Sequence, residues 1–377
     1  MTRLIEFLIS LAIVVAVFVG VGFLLPSSRH FEHSVETNRK MTIVYDTINS
    51  LRRFPAWNIL VAKDPNMDLE LVGPEEGVGA RLEYSSEERG IGEGAWEIVE
   101  TVPNESVTYA IEDPERGNNK RTTFHLEPTG RNNRNVKITQ TYDVDYGMDL
   151  LGRYAGMYVS SSVGSDIKMS LTRLSNMLAA VPNYDYSLLS KDNPENAPRI
   201  EDRPAQNVLI VGAAVERNNE VVQRTMNNNM QWIEKVMKAN NLVADGPVQI
   251  ITNEFGSESY AFEVAQPVRP SGNGDGADED AEGEATDGGD TQATAATGPL
   301  DVDLEGPVEL VQREASKVAA VPFTGHMANL PTVRDGLRAW VLTRGMETTG
   351  RPYEAWNDGI EEGFTPEGEF TVYWSVR

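Results

Sequence analysis

The apolar positions of the chain begin as one unbroken block. Phe7 to Leu25 is a run of 19 residues without a charge, rich in Val, Ile, Leu and Phe. At ~1.5 Å per residue such a helix spans roughly 28 Å, close to the ~30 Å hydrocarbon core of a bilayer. A buried core helix would show polar residues recurring near every 3.6 positions, and this run has none. A cleavable signal has a shorter apolar region followed by a small-x-small site, whereas this run ends Gly22-Phe-Leu-Leu-Pro26. Residues 1–28 are therefore expected to form an uncleaved, single-pass transmembrane anchor. Arg29, Arg39 and Lys40 follow the run, so charge bias does not settle its orientation. The short basic start resembles an export signal and favours a bacterial inner membrane with an extracytoplasmic body.

Beyond the block the pattern shifts to alternation. Phe31 to Thr37 alternates like a strand, and Ile43 to Leu51 reads as a short helix closing at Phe54-Pro-Ala-Trp57-Asn58. Strands are predicted over Asp68–Val72, Ala80–Tyr84, Ala95–Thr101, Val107–Glu112, Arg121–Glu127 and Val136–Asp143, separated by Gly-, Pro- and Asn-rich turns. Such spacing implies a mostly antiparallel sheet. The stretch Met148 to Ala180 then reads as one long helix, with Ile167, Leu171, Leu174 and Leu178 on a single stripe. The first domain covers residues 31–182.

Residues 183–204, with Pro194, Pro198 and Pro204, read as a linker. From residue 205 to 377 a strand–helix–strand–strand pattern occurs twice. The first copy has a strand over Val208–Glu216, a helix over about Glu220–Ala239 and strands running to Val268. The second has a strand over Lys317–Phe323, a helix over about Leu330–Arg344 and strands ending at Val376. Asn241-Leu242 aligns with Gly345-Met346 and Gly246 with Gly350, both 104 residues apart. Each helix has one apolar face: Val222, Met226, Ile233 and Met237 in the first, Val333, Leu337, Trp340 and Val341 in the second. Between the copies, residues 271–298 hold eight acidic residues and no basic ones. That composition cannot offset chain entropy and is expected to be a disordered, solvated insert. The fold class is thus α+β.

Charge and composition narrow the chemistry. A formal charge of −24 argues against nucleic acid, which needs clustered Lys and Arg, and against a body lying flat on anionic lipid. With no cysteine, disulfides and thiol chemistry are excluded. His30, His33, His125 and His326 are scattered, so no metal or other cofactor is expected. His125 and Glu127 stand two apart on one strand, opposite Phe124 and Leu126, and should be solvated. No catalytic set is legible.

Particular residues carry two resemblances. Phe54-Pro-Ala-Trp57-Asn58, the Gly77-Val-Gly79 turn, Gly94-Ala-Trp96-Glu-Ile98-Val-Glu100-Thr-Val-Pro103 and Gly147-Met-Asp-Leu-Leu-Gly-Arg-Tyr154 resemble the START-like (SRPBCC, polyketide-cyclase-type) helix-grip family. That resemblance implies a cavity between sheet and long helix for a lipid-like or aromatic molecule, with Trp57, Tyr84, Trp96, Tyr109, Phe124, Tyr142 and Met157 as candidate lining. The second domain is similar to the GyrI-like effector-binding family. Val318 to Met327 stands at that family's strand and turn, and Arg338-Ala-Trp340 with Gly345 at its helix and exit. This implies a cleft between the two copies that takes small cationic or aromatic molecules, commonly through a buried glutamate on the last strand. Thr371 stands at that position here, and the first copy's equivalent is Glu263. Glu263, Phe323, Trp340, Tyr353, Trp356 and Tyr373 are the candidate cleft residues, although ordinary packing explains the aromatic ones equally well.

The resulting expectation is a membrane-anchored protein that binds or senses a small apolar or aromatic molecule. A cyclase- or hydrolase-type enzyme using one cavity, and a non-catalytic interaction module, are the alternatives.

Overall fold

The computed structural model describes residues 2–191, 193–272 and 300–377. The acidic insert expected over 271–298 lies, beyond Gly272, outside the described residues. The chain divides into two compact units: Met1–Asp185 with Thr343–Gly345, and Tyr186–Leu342 with Met346–Arg377.

The first unit begins with α1 (Thr2–Leu24), of which Arg3–Leu24 is long and apolar enough to cross a membrane. After β1 (Ser28–Thr37) come α2 (Met41–Ile48), α3 (Phe54–Trp57) and α4 (Ile59–Lys63). Then follow β2 (Asp68–Val72), β3 (Arg81–Ser85), β4 (Glu93–Val102), β5 (Ser106–Glu112), β6 (Asn118–Thr129) and β7 (Asn135–Asp145). The seven strands form one antiparallel sheet in the order β1-β7-β6-β5-β4-β3-β2. Strict alternation orients it. Along β7, Val136, Ile138, Gln140, Tyr142 and Val144 are buried while their neighbours are not.

The long helix expected over Met148 to Ala180 is broken in two: α5 (Leu150–Ala155) and α6 (Val159–Ala179). Tyr146 packs at the break. Its ring lies so close to α5 that a Cβ on Gly152 or Gly156 would stand 2.7 Å from it, and the chain turns at Gly156. Past the turn, Ile167, Leu171, Leu174 and Leu178 are buried, so α6 alone grips the sheet.

α5 is tied to the end of α1. Tyr154 stacks on Phe18 at 4.4 Å and donates its hydroxyl to the Phe18 carbonyl at 2.8 Å. The buried Arg153 donates from Nη1 to the carbonyls of Gly22, Phe23 and Leu25, and from Nε and Nη2 to that of Gly147. Three of those acceptors are among the orphan carbonyls of a helix C-terminus, where a cation is doubly favourable.

The second unit comprises β8 (Arg199–Arg203), β9 (Gln206–Glu216), α7 (Asn219–Ala239), β10 (Leu242–Ala244), β11 (Val248–Phe255) and β12 (Ser259–Pro270). It continues with β13 (Glu309–Arg313), β14 (Ser316–Thr324), α8 (Leu330–Thr343), β15 (Thr348–Trp356), α9 (Gly359–Glu362) and β16 (Glu369–Val376). The main sheet runs β13-β9-β12-β11-β15-β16-β14-β8, with β10 paired to β12. The repeat is visible in that order: β9-β12-β11 mirrors β14-β16-β15, and the copies meet edge to edge at β11 and β15. Asn218 caps α7 by accepting from the Glu220 and Val221 amides. Part of the stretch read as linker is in fact β8. Its flanking prolines lie outside the ladder, so they bound the strand without breaking it.

Candidate functional site

In the first unit, α6 and α4 stand over the sheet and leave a partly open cavity of about 150 Å³. Tyr84, Trp96, Thr122, Gln140 and Tyr142 form its sheet wall, and Val163, Ile167 and Ser170 its helix wall. Asn58 caps α4 by accepting from the Leu60 amide at 2.9 Å, and Ser170 Oγ accepts from the Ile59 amide at 3.1 Å. These bonds hold α4 against α6 beside the cavity. Gly94 matters on the opposite wall. A Cβ there would lie 2.4 Å from the Tyr84 hydroxyl oxygen and 2.2 Å from the Glu112 carbonyl oxygen, so only glycine lets the Tyr84 ring cross β4.

One polar chain runs through the wall. Thr122 Oγ1 donates to the Thr141 carbonyl at 2.6 Å, so its single proton is used. It must then accept from Gln140 Nε2, 3.0 Å away. That leaves Gln140 Oε1 buried with no hydrogen-bond partner among the described residues. An orphan acceptor of this kind costs about 1–3 kcal/mol.

Charged groups gather at the rim. Lys120, nearly buried, donates to the Asp113 carboxylate and to the Glu115 carbonyl oxygen at 2.7 Å. Lys63 pairs with Asp166 at 2.5 Å. Partial desolvation among the protein atoms at the cavity mouth, then the neighbouring charge of Asp113, raises the Glu115 carboxyl above the usual carboxylate range, although much of the side chain still meets solvent. The Tyr84 phenol is pushed up to about 12 by burial first and by Asp113 and Glu115 next, and Tyr142 is raised for the same first two reasons. Both phenols are therefore protonated donors at neutral pH.

Of the candidates read from sequence, Tyr84, Trp96 and Tyr142 line this cavity. Trp57, Tyr109 and Phe124 do not. Together with Phe54 and Trp96 they close a cycle of ring contacts at 5.0–5.9 Å, a packed aromatic core in which Trp96 alone reaches the cavity. Tyr109 donates to the Ile48 carbonyl and is completely buried. Met157 is exposed, in the turn between α5 and α6. Sequence reasoning missed Gln140, Thr122, Asp113 and Glu115. His125 and Glu127 are exposed, on the face opposite Phe124 and Leu126.

In the second unit the cross-strand register sorts the candidates by face. Glu263, Ile251, Tyr353 and Tyr373 form one row across β12, β11, β15 and β16. Val264, Ile250, Glu354 and Val372 form the adjacent row, on the other face. Glu354 is fully buried and meets Arg334 of α8 in a bidentate pair, 2.5 Å from Nε to Oε1 and 2.9 Å from Nη2 to Oε2. The buried glutamate of this unit is thus Glu354, which sequence reasoning did not single out, with its own cation already in place. On the first face a cleft of about 350 Å³ is lined by Glu263, Glu314 and Tyr353 with Arg203, Arg313 and Arg351. Glu263 accepts from Arg351 at 3.2 Å and from Asn253 at 3.0 Å. Phe323 and Trp356 pack on Phe370, Trp340 is buried on α8, and none of these three lines the cleft. Thr371 is half-buried beside Asn357. Among the described residues no group of three or more His, Asp or Glu could hold a metal ion.

Two solved structures are similar in outline. The EcmrR C-terminal domain covers 48% of this chain and 96% of its own at 17% identity, with a TM-score of 0.34. Norcoclaurine synthase from Thalictrum flavum, in complex with dopamine and hydroxybenzaldehyde, covers 42% and 91% at 12% identity, with a TM-score of 0.32. No curated protein matches the chain. Residues 28–178, from the first strand to the end of α6, match the family described as polyketide cyclase / dehydrase and lipid transport.

Proposed function

We propose that this protein is a membrane-anchored ligand-binding protein whose first unit holds a small ring compound carrying a hydroxyl or N–H donor. The observation that carries the reading is the cavity wall with its unpartnered Gln140 oxygen, which such a donor would satisfy. Size sets the ligand class. A dry cavity of ~150 Å³ takes a benzene-sized guest, whereas drug-sized pockets run ~300–1,000 Å³. A single ring fits the enclosed part, and a longer ligand would extend through the open mouth. The family match, whose description includes lipid transport, supports ligand binding as the role of residues 28–178.

The contacts of Arg153 and Tyr154 support a retained anchor over a cleaved signal. Removing α1 and the residue after it would take away three of the four carbonyls that Arg153 donates to, those of Gly22, Phe23 and Leu25, leaving only that of Gly147. Met148, Leu151, Met157 and Tyr158, all exposed and flanking that junction, suit the interfacial layer where a spanning helix leaves the bilayer. Our reading keeps the body on the extracytoplasmic side, which the short basic start favours, and the second unit as a GyrI-like effector-binding domain, which rests on its sequence resemblance. Native mass spectrometry of the detergent-extracted full chain tests the function. A co-purifying single-ring compound, lost on Gln140→Leu, is expected; its absence under gentle extraction would sink the reading.

A second reading is catalytic. The raised Glu115 carboxyl stands at the rim of a cavity bearing two protonated phenols, a set able to donate protons to a bound carbonyl compound. Turnover of a bound aldehyde or ketone that disappears on Glu115→Gln would favour it.

A further inference from the structure

In the second unit the helices cover one face of the sheet. Arg334 of α8 binds Glu354 and accepts, through its carbonyl oxygen, the Trp374 indole N–H at 3.2 Å. The opposite face carries the cleft of about 350 Å³. Three arginines reach it from three strands: Arg203 from β8, Arg313 from β13 and Arg351 from β15. This is unusual ground in a chain of formal charge −24.

The arginines are not equivalent. Arg351 is exposed and paired with Glu263. Arg203 and Arg313 are half-buried, and among the described residues neither is in an ion pair, although Glu263 and Glu314 line the same cleft. The Arg313 guanidinium lies 5.0 Å over the Tyr353 ring and donates to the neutral Gln249 Oε1 at 2.5 Å. The Arg203 guanidinium lies 4.8 Å over the Tyr373 ring and donates to that phenol oxygen at 3.3 Å, while its Nε is buried without a partner. The two rings stack on each other at 4.9 Å and 18°. Each guanidinium thus lies within cation–π range of an aromatic face, and neither spends all its N–H groups on the protein. Burial, and then Arg203 as a like charge, lower Arg313 below its usual value against the opposing pull of the Tyr353 phenol and of Glu263, so the pair has no carboxylate in direct contact.

We propose that this cleft is a receptor for a small organic oxyanion, a carboxylate or a phosphate, gripped by Arg203 and Arg313 on the Tyr353–Tyr373 stack. A planar fork facing an oxyanion makes parallel charge-assisted bonds, the strongest polar contact available at such a site. The remaining volume accommodates the ligand's organic body. The charge preference is opposite to that implied by the gyrase-inhibitor-like resemblance. Its expected glutamate position is Thr371, and Glu263 in this cleft is bound by Arg351 and Asn253. The site is independent of the first unit's cavity, so either can fail without the other.

Titration calorimetry on the detergent-extracted full chain at low salt, with benzoate, inorganic phosphate and benzylammonium as probes, tests it. Benzoate or phosphate is expected to bind, more weakly as salt rises, and benzylammonium is not. Binding of benzoate alone marks a carboxylate ligand, and of phosphate alone a phosphate ligand. Arg203→Gln and Arg313→Gln should each weaken binding by about tenfold or more, with unchanged melting temperatures as the folding control. Glu263→Gln should tighten binding by roughly two- to fivefold, because it removes a negative charge and releases Arg351. A damaged site could not produce that gain. No heat from either anion at millimolar concentration, tighter binding of benzylammonium, or weakening in Glu263→Gln alongside the arginine variants would each overturn the proposal.

Discussion

The first unit's cavity and the second unit's cleft are built alike and charged differently. Each is a concavity on an antiparallel sheet with a helix packed against that sheet. In the first, the cavity lies between sheet and helix, its walls are aromatic and amide, and its charges sit at the rim in pairs such as Lys63–Asp166. In the second, the helix side is sealed around a buried ion pair, and the cleft lies on the opposite face among arginines. The difference turns on single steps along a strand. Tyr353 and Glu354 are adjacent, yet alternation sends one to the cleft and the other into the core against α8. Architecture fixes where a concavity forms; the residue parity on a few strands decides what it can hold.

The sharpest way to break the comparison is to expose the sealed charge. Glu354→Ala leaves Arg334 buried without its partner, and breaking such a pair costs about 3–5 kcal/mol. Unfolding of the full chain should show the second unit's transition falling by that amount and the first unit's unmoved. Arg334→Met with Glu354→Leu should restore most of the loss, since a well-packed apolar pair replaces a buried ionic one at little cost. If the single variant melts like the wild type, Glu354 is not sealed and the contrast between the faces fails.

The first unit is tested next, by its tightest contact. Gly94→Ala must move either β5 or the Tyr84 ring, and overpacking of this kind costs about 1–3 kcal/mol. A denaturation midpoint within error of the wild type would mean that Tyr84 does not lie where the cavity wall needs it. Gln140→Leu separates binding from stability. It removes an orphan acceptor, so stability should hold or rise, while affinity for phenol as a probe should fall by roughly tenfold, about 1.4 kcal/mol. Equal affinity for phenol in both proteins would detach Gln140 from the site.

Much of the framework was legible because burial alternates along strands and follows a stripe along helices. Asp68–Val72 and Glu369–Val376 stand within the residue limits that alternation and flanking turns imply. Other features depend on contacts distant in sequence. The break between α5 and α6 falls where Gly152 and Gly156 pack on Tyr146, while the apolar stripe from Ile167 to Leu178 lies wholly within α6 and says nothing of it. β8 was obscured because prolines at both ends give a strand the composition of a linker. The site residues fared differently by type. Large aromatics announce themselves, but the ring cycle that absorbs Trp57, Tyr109 and Phe124 cannot be read from a linear order. Glu354 and Arg334 each look solvated in isolation, and a register shift between Thr349 and Tyr353 disguises the parity of β15. Only pairing to β11 shows which face Glu354 takes.

The smallest expected effect concerns the rim, where the two units differ least. The folded first unit raises the Glu115 carboxyl above its unfolded value, so the fold binds that proton more tightly than the open chain does. Its contribution to stability is fully present below the unfolded carboxylate pKa and is lost as pH rises through the raised one. Glu115→Gln keeps the shape and removes the titration. The variant should melt with the wild type in acid and slightly above it at neutral pH, the gap opening across the range above the ordinary carboxylate pKa. Because the residue is exposed, solvent screening keeps that gap small. A gap that is constant with pH would place the carboxylate in free solvent. The cavity mouth would then lack a raised carboxyl with a proton to offer a bound ligand.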